Sequence, residues 1–154
     1  GPLRSYYNYF YGEAEIKFLF KYLKKYKENY IFIDIGANYG IYTFLFYKNS
    51  AYTYAVEPIS ACLQYIIEGL DNKKNIAFIN KIASNKNGET VLKTPIEKGI
   101  PVYGKSSVVN NFNNYQNNIC KTFIVDKYFE EREGSDPLVN KSAPIKPSID
   151  MKAK

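Results

Sequence analysis

The residues Tyr30-Ile31-Phe32-Ile33-Asp34-Ile35 run straight into Gly36-Ala37-Asn38-Tyr39-Gly40, and a second apolar stretch, Ile41 to Phe46, follows at once. A short, nearly continuous apolar run rich in β-branched residues reads as a strand buried on both faces, as in a parallel sheet. A glycine directly after such a strand lets another molecule approach the backbone, because no Cβ stands in the way. A second glycine at the start of the next helix lets that helix sit close. The N–H groups at the helix start are then expected to form a polar, slightly positive cradle. This segment constrains the chain to strand, turn and helix, with room for a ligand on the turn.

The flanking sequence extends the pattern. Ile16, Leu19, Phe20, Leu23 and Tyr26 recur at helical spacing in GEAEIKFLFKYLKKYKEN, with Glu13 and Glu15 early and lysines late, as the helix dipole favours. Asn29 marks the stop. AYTYAVEP reads as a second strand ended by Pro58, and SACLQYIIEGL as a helix with Ser60 as N-cap. NIAFINKIAS reads as one third strand. Strand and helix alternating in this way predict a doubly wound, Rossmann-like, mostly parallel α/β sheet. Beyond it lie a turn at Asn87-Gly88, a short strand from Thr90 to Lys93, an Asn-rich exposed loop, and a strand-like run, KTFIVDKYF. The tail from Glu130 is rich in charge and proline, with Ile149-Asp150-Met151 its one strand candidate.

Composition narrows the chemistry. A chain of 154 residues with 45% hydrophobic and 23% charged residues suits one globular domain. No apolar run approaches the roughly 20 residues that cross a bilayer. The amino end carries no secretory signal, and Gly1-Pro2-Leu3 reads as a protease-cleavage scar. Cys62 and Cys120 lack metal-like spacing and read as two reduced thiols in a cytoplasmic protein. With no histidine present, Ser-His-Asp and Cys-His mechanisms within this chain are excluded. The net charge of +6 is carried almost wholly by lysine, with arginine only at Arg4 and Arg132. Nucleic-acid sites favour arginine, so a solvated lysine surface is preferred over a phosphate-bearing partner.

The acids choose the ligand. Glu57 closes the second strand about twenty residues after the turn, where a carboxylate accepts hydrogen bonds from both ribose hydroxyls and rejects a 2′-phosphate. Asp34, facing the turn, would repel the pyrophosphate of NAD and attract the ammonium of an amino acid. S-adenosylmethionine (SAM) carries that α-amino group together with a sulfonium. The turn and the two acids therefore favour SAM.

These motifs resemble the FkbM-type branch of class I SAM-dependent methyltransferases. The similar features are the Asp-x-Gly-Ala-Asn-x-Gly-x-x-Thr turn from Asp34 to Thr43, the strand end Glu57-Pro58, Ala83 near Gly88, the pair Ser106-Ser107, and Thr122 to Asp126. The resemblance implies that Asp34, Gly36, Ala37, Asn38, Gly40 and Thr43 line the methionine end of SAM. It also implies that Glu57 and Pro58 border the ribose and that Ala83 lies near the adenine. It implies O-methyl transfer to a sugar, glycan or other small hydroxyl acceptor. An alcohol acceptor needs its proton removed, and Asp150 and Asp126 are the two carboxylates considered for that role. The family's Ile-Asp-Val-Glu-Gly strand end is matched here only by Ile149-Asp150-Met151-Lys152-Ala153. The expected organisation is a leader at 1–12, a SAM-binding domain at 13–129, and a tail at 130–154 that starts a fourth core strand of a truncated sheet. Self-association, or pairing with a missing carboxyl-terminal segment, would cover the open sheet edge. Three rival readings stand beside this one: a non-catalytic SAM-binding domain, an RNA methyltransferase and an NAD-binding module.

Overall fold

The computed structural model describes residues 13–26 and 29–130. A first helix, α1 (Glu13–Lys24), precedes β1 (Ile31–Ile35), α2 (Ile41–Phe46), β2 (Tyr52–Val56), α3 (Ser60–Leu70) and β3 (Ile76–Ile79). The chain then forms β4 (Ile82–Ser84), β5 (Gly88–Glu97), β6 (Ile100–Pro101) and β7 (Tyr115–Ile124), and α4 (Val125–Glu130) closes the described part. Short 3₁₀ turns follow α2 at Tyr47–Asn49 and β6 at Tyr103–Lys105.

The first three strands form a parallel sheet in the order β1-β2-β3. Side chains alternate across a strand, so β2 feeds two cores at once. On one face Ala55, Ile76 and Phe78 pack against Leu63, Ile66, Ile67 and Leu70 of α3, with Phe44 of α2 alongside. On the other, Tyr54, Val56 and Ile79 are covered by Phe123 and by Val125, Tyr128 and Phe129 of α4. Every residue of β2 and of β3 is buried. α1 docks beside α2, the Phe20 and Phe46 rings lying 4.6 Å apart. Tyr26, expected on its buried face, is instead exposed and donates to the Tyr22 hydroxyl.

The doubly wound sheet expected from the sequence is not what forms. The strand order runs straight through β1-β2-β3 without reversing about β1, and the chain then leaves this sheet. It builds a separate, mixed, four-stranded sheet in the order β4-β7-β5-β6. The single third strand expected over NIAFINKIAS is broken at Asn80, whose side-chain amide donates to the carbonyls of Glu57 (2.9 Å) and Pro58 (3.1 Å). That clamp turns Ile82–Ser84 out of the first sheet and onto β7. The short strand expected at Thr90–Lys93 is a ten-residue strand paired antiparallel with β7 from Gly88 to Pro95. The strand-like KTFIVDKYF run divides, ending as strand at Ile124 and continuing as α4. Ser60 is the first helical residue rather than the cap, and its hydroxyl reaches Asn80 at 3.1 Å.

A third cluster joins the two sheets: Ile59 and Cys62 meet Leu92 and Cys120, with Tyr39, Ile82 and Tyr103 at its border. Among the described residues, no helix is long and apolar enough to cross a membrane.

Candidate functional site

The turn after β1 is built from left-handed backbone. Gly36 (φ 78°), Asn38 (φ 51°) and Gly40 (φ 81°) all occupy the region that ordinary residues avoid. The two glycines serve different ends. A Cβ on Gly40 would lie 2.7 Å from Ile66 Cγ1, so this glycine lets α2 approach α3. A Cβ on Gly36 would meet nothing within 4 Å, because its open side faces a cleft.

The backbone of the turn is mostly committed inward. The Gly36 and Ala37 N–H groups both donate to the Val56 carbonyl, at 2.8 and 3.0 Å. Gly40 N–H donates to Ala37 O at 2.7 Å, and Asn38 N–H donates to Glu57 Oε2 at 2.8 Å. The free amide cradle expected from the sequence is thus largely spent on holding the turn against β2.

The two acids carry the same lesson. Glu57 is 5% exposed, and its second oxygen accepts from Ile59 N–H at 2.8 Å. It therefore ties the β1 turn to the start of α3. Asp34 accepts from the Thr43 hydroxyl at 2.6 Å and from the Thr43 backbone, capping the first turn of α2 from the neighbouring strand. Burial pushes both carboxyls above their ordinary range. The hydrogen bonds oppose that shift, and at Glu57 the nearby Asp34 charge adds slightly to it.

The cleft encloses about 510 Å³ between the turn and the loop that follows β6. Asp34, Gly36, Ala37 and Asn38 line it on one side, and Pro101, Tyr103, Gly104 and Lys105 on the other. The two walls nearly touch, since a Cβ on Gly104 would lie 3.3 Å from Asn38 Nδ2. Asn38 Oδ1 is buried there with no hydrogen-bond partner. Lys105 is held by Glu97 at 2.6 Å.

Of the residues singled out from sequence, Gly40, Thr43 and Glu57 support the turn from behind and do not line the cleft. Pro58 lies behind it too, its carbonyl bound by Asn80. Ala83 sits on β4 and packs against the Tyr54 side of the first sheet. Asp126 is exposed in the first turn of α4 and does not line the cleft. Asp150 lies outside the described residues. The serine pair is structural: Ser106 Oγ bonds Thr94 Oγ1 at 2.7 Å, and Ser107 Oγ accepts from Val109 and Asn110 N–H.

The 101–105 wall was not anticipated. Nothing in Pro101-Val102-Tyr103-Gly104-Lys105 announces a ligand, and only the pairing of β5 with β6 swings it over the turn.

The thiols offer no nucleophile. Burial, with a contribution from the Glu57 charge, pushes Cys62 up to about 12, and burial likewise raises Cys120. Both cysteines are free and buried. Among the described residues, no group of acidic, cysteine or histidine side chains could hold a metal ion. The chain matches no known family model, no curated protein and no solved structure.

Proposed function

We propose that the chain binds SAM and directs its methyl group to a hydroxyl of a sugar, glycan or other small acceptor. The observation that carries this reading is the cleft over Gly36. Left-handed backbone with open space where a Cβ would be sits beside the half-buried carboxylate of Asp34, in a volume of about 510 Å³. Small-ligand clefts of roughly 300–1,000 Å³ with few polar groups are the usual form of a cofactor site.

The residues present fit an amino-acid-bearing nucleoside. Asp34 supplies a negative charge for an ammonium, and its bonds to Thr43 fix the carboxylate before a ligand arrives. Asn38 Oδ1, buried without a partner, is an acceptor that a ligand N–H or O–H would satisfy. Glu57 stands behind the turn and holds Asn38 in place rather than reaching the cleft itself. SAM, when bound, supplies an activated methyl group. The protein's share is then alignment of acceptor, methyl and sulfur.

A second reading, a SAM-binding domain without turnover, is favoured by one observation. Asp34 and Lys105, the two charged groups on the cleft walls, are both bonded within the protein, so neither is poised as a base.

Calorimetric titration of the full chain tests binding. SAM and S-adenosylhomocysteine are expected to saturate and NAD is not. Asp34→Asn should weaken SAM by about tenfold or more, as expected for loss of a hydrogen bond to a charged group. No binding of either SAM compound, or tighter binding of NAD, would overturn the proposal. Methyl transfer from SAM to a sugar panel then separates the two readings.

A further inference from the structure

A surface helix of a small domain ordinarily buries one apolar face and presents a polar one. α1 and the turn that ends it carry apolar side chains on two faces. Inward, Ile16 is buried and Leu19, Phe20 and Leu23 are half-buried, with the Phe20 ring against Phe46. Outward, Phe18, Tyr22 and Tyr26 stand 65%, 44% and 41% exposed, each four residues from the next and so on one side of the helix. The Phe18 and Tyr22 rings stack with centroids 6.1 Å apart, the Tyr22 and Tyr26 rings lie 5.7 Å apart, and the Tyr26 hydroxyl donates to that of Tyr22 at 3.2 Å. This stripe does nothing to dock α1 on the domain. Contiguous exposed aromatic surface marks a contact with a partner or a membrane.

Positive charge edges the stripe. Lys21 and Lys25 follow Phe18 and Tyr22 by three residues and share their side of the helix. Both are exposed, as are Lys17 and Lys24, and the Lys25 ammonium lies 3.8 Å from the centre of the Tyr22 ring. The acids of this segment, Glu13 and Glu15, are confined to the first turn.

The ring geometry selects the partner. A nucleic-acid strand stacks its bases on free ring faces. Here the Tyr22 ring already has Phe18 stacked against it and the Lys25 ammonium over it. Arginine, the residue suited to bidentate phosphate contacts, is absent from residues 13–26. A lipid headgroup layer asks for something else: apolar ring bodies at the acyl boundary, phenolic hydroxyls at headgroup level, and flexible ammonium groups beside them.

We propose that the outward face of α1, through Phe18, Tyr22, Tyr26, Lys21 and Lys25, seats the protein on an anionic lipid surface. The helix lies along that surface without crossing it. Phe18, the most exposed ring of the three and the one without a hydroxyl, enters deepest. None of these residues lines the cleft over Gly36, so the proposal is independent of the methyl-transfer reading.

The test is co-sedimentation of the full chain with phosphatidylcholine vesicles, with and without phosphatidylserine. Binding is expected only when phosphatidylserine is present. Lys21→Gln with Lys25→Gln should weaken it about tenfold or more, the loss expected for two lysines beside an anionic surface. Phe18→Gln with Tyr22→Gln should weaken it about as much while leaving the denaturant midpoint near that of wild type, because both positions are exposed. Lys74→Gln with Lys121→Gln, the same loss of charge at exposed positions outside α1, should leave binding within about twofold. The chain has no tryptophan, so Phe18→Trp supplies a single probe whose fluorescence should move to the blue on anionic vesicles. Equal losses in the two lysine pairs, undiminished binding by Phe18→Gln with Tyr22→Gln, or an unmoved fluorescence would overturn the proposal. So would single-stranded RNA that binds more tightly than the vesicles and displaces them, which would make this face a nucleic-acid surface. A lipid-free dimer dissociated by Phe18→Gln with Tyr22→Gln would overturn it too, since a second copy would then cover the stripe.

Discussion

The two sheets of this molecule bury their side chains in opposite styles. In the parallel sheet, β2 and β3 are covered on both faces, by α3 on one and by Phe123 and α4 on the other. In the β5–β7 ladder one face is core and the other is open. Leu92 and Cys120 are 6% exposed, whereas Val91 and Ile119, register partners, stand 41% and 77% exposed. The stability of the chain should therefore be concentrated in the parallel unit, while the antiparallel unit supplies the second wall of the cleft over Gly36.

The largest effect is expected from emptying the parallel core. Phe78→Ala should cost about 3–5 kcal/mol in chemical denaturation, because Phe78 is fully enclosed between α3 and β2. Ile119→Ala, on the open face of β7, should stay within about 0.5 kcal/mol. Comparable losses at both positions would mean that the outer face of β7 is covered in solution and would erase the contrast.

A smaller, sharper comparison lies within the turn itself. Gly40→Ala adds a methyl against Ile66 on left-handed backbone and should cost about 2–4 kcal/mol. Gly36→Ala has similar backbone but open space, so about 1 kcal/mol is expected. Its methyl would point into the cleft and should weaken SAM more than it weakens the fold. Equal destabilisation by the two variants, read from denaturant midpoints, would deny the packing role of Gly40.

The smallest effect is a slope. Asp34 and Glu57 are raised above their ordinary values of 3.8 and 4.5 because burial disfavours the charged form. The folded chain thus holds these protons more tightly than the unfolded chain. The stability they contribute is complete below the unfolded values and is lost as pH rises through the folded ones. Replacing Asp34 by asparagine removes one of those titrations. As pH rises from below the ordinary value of 3.8 through the raised folded one, wild type should lose stability relative to Asp34→Asn. Parallel pH profiles for the two proteins would contradict a half-buried carboxyl whose affinity for its proton is raised by folding.

The contrast between the sheets also marks how far the sequence could be read. Strands buried on both faces write themselves as unbroken apolar runs, so Tyr52–Val56 was legible to within a residue or two, as was the helix Ser60–Leu70; Ile31–Ile35 reads the same way and is a strand, but it lies at the sheet edge with Ile33 38% and Ile35 52% exposed, not buried on both faces. The Gly36–Gly40 turn was legible because left-handed backbone demands glycine and asparagine. Three things were not. Asn80 is one polar residue inside an apolar run, and its tertiary bonds to Glu57 and Pro58 decide that the run splits. The first half of β7 is masked by its asparagines, which read as loop, and so the full length of β5, its partner, was read only as the four residues Thr90–Lys93. The roles of Asp34 and Glu57 were read from residue type and spacing, which do not reveal that Thr43, Asn38 and Ile59 already bind them.

The nearness of Gly104 to Asn38 has a consequence for cooperativity. A molecule lodged in that gap would touch both sheets at once, adding to their permanent bonds, the patch of Ile59, Cys62, Leu92 and Cys120 and the packing of Phe123 and Ala83 against Tyr54, Val56 and Ile79. Such a guest acts as a rivet. It couples the outer, half-open part of the second sheet to the shared core, so that the weaker part borrows the resistance of the stronger and the melting transition rises and sharpens as the guest is added.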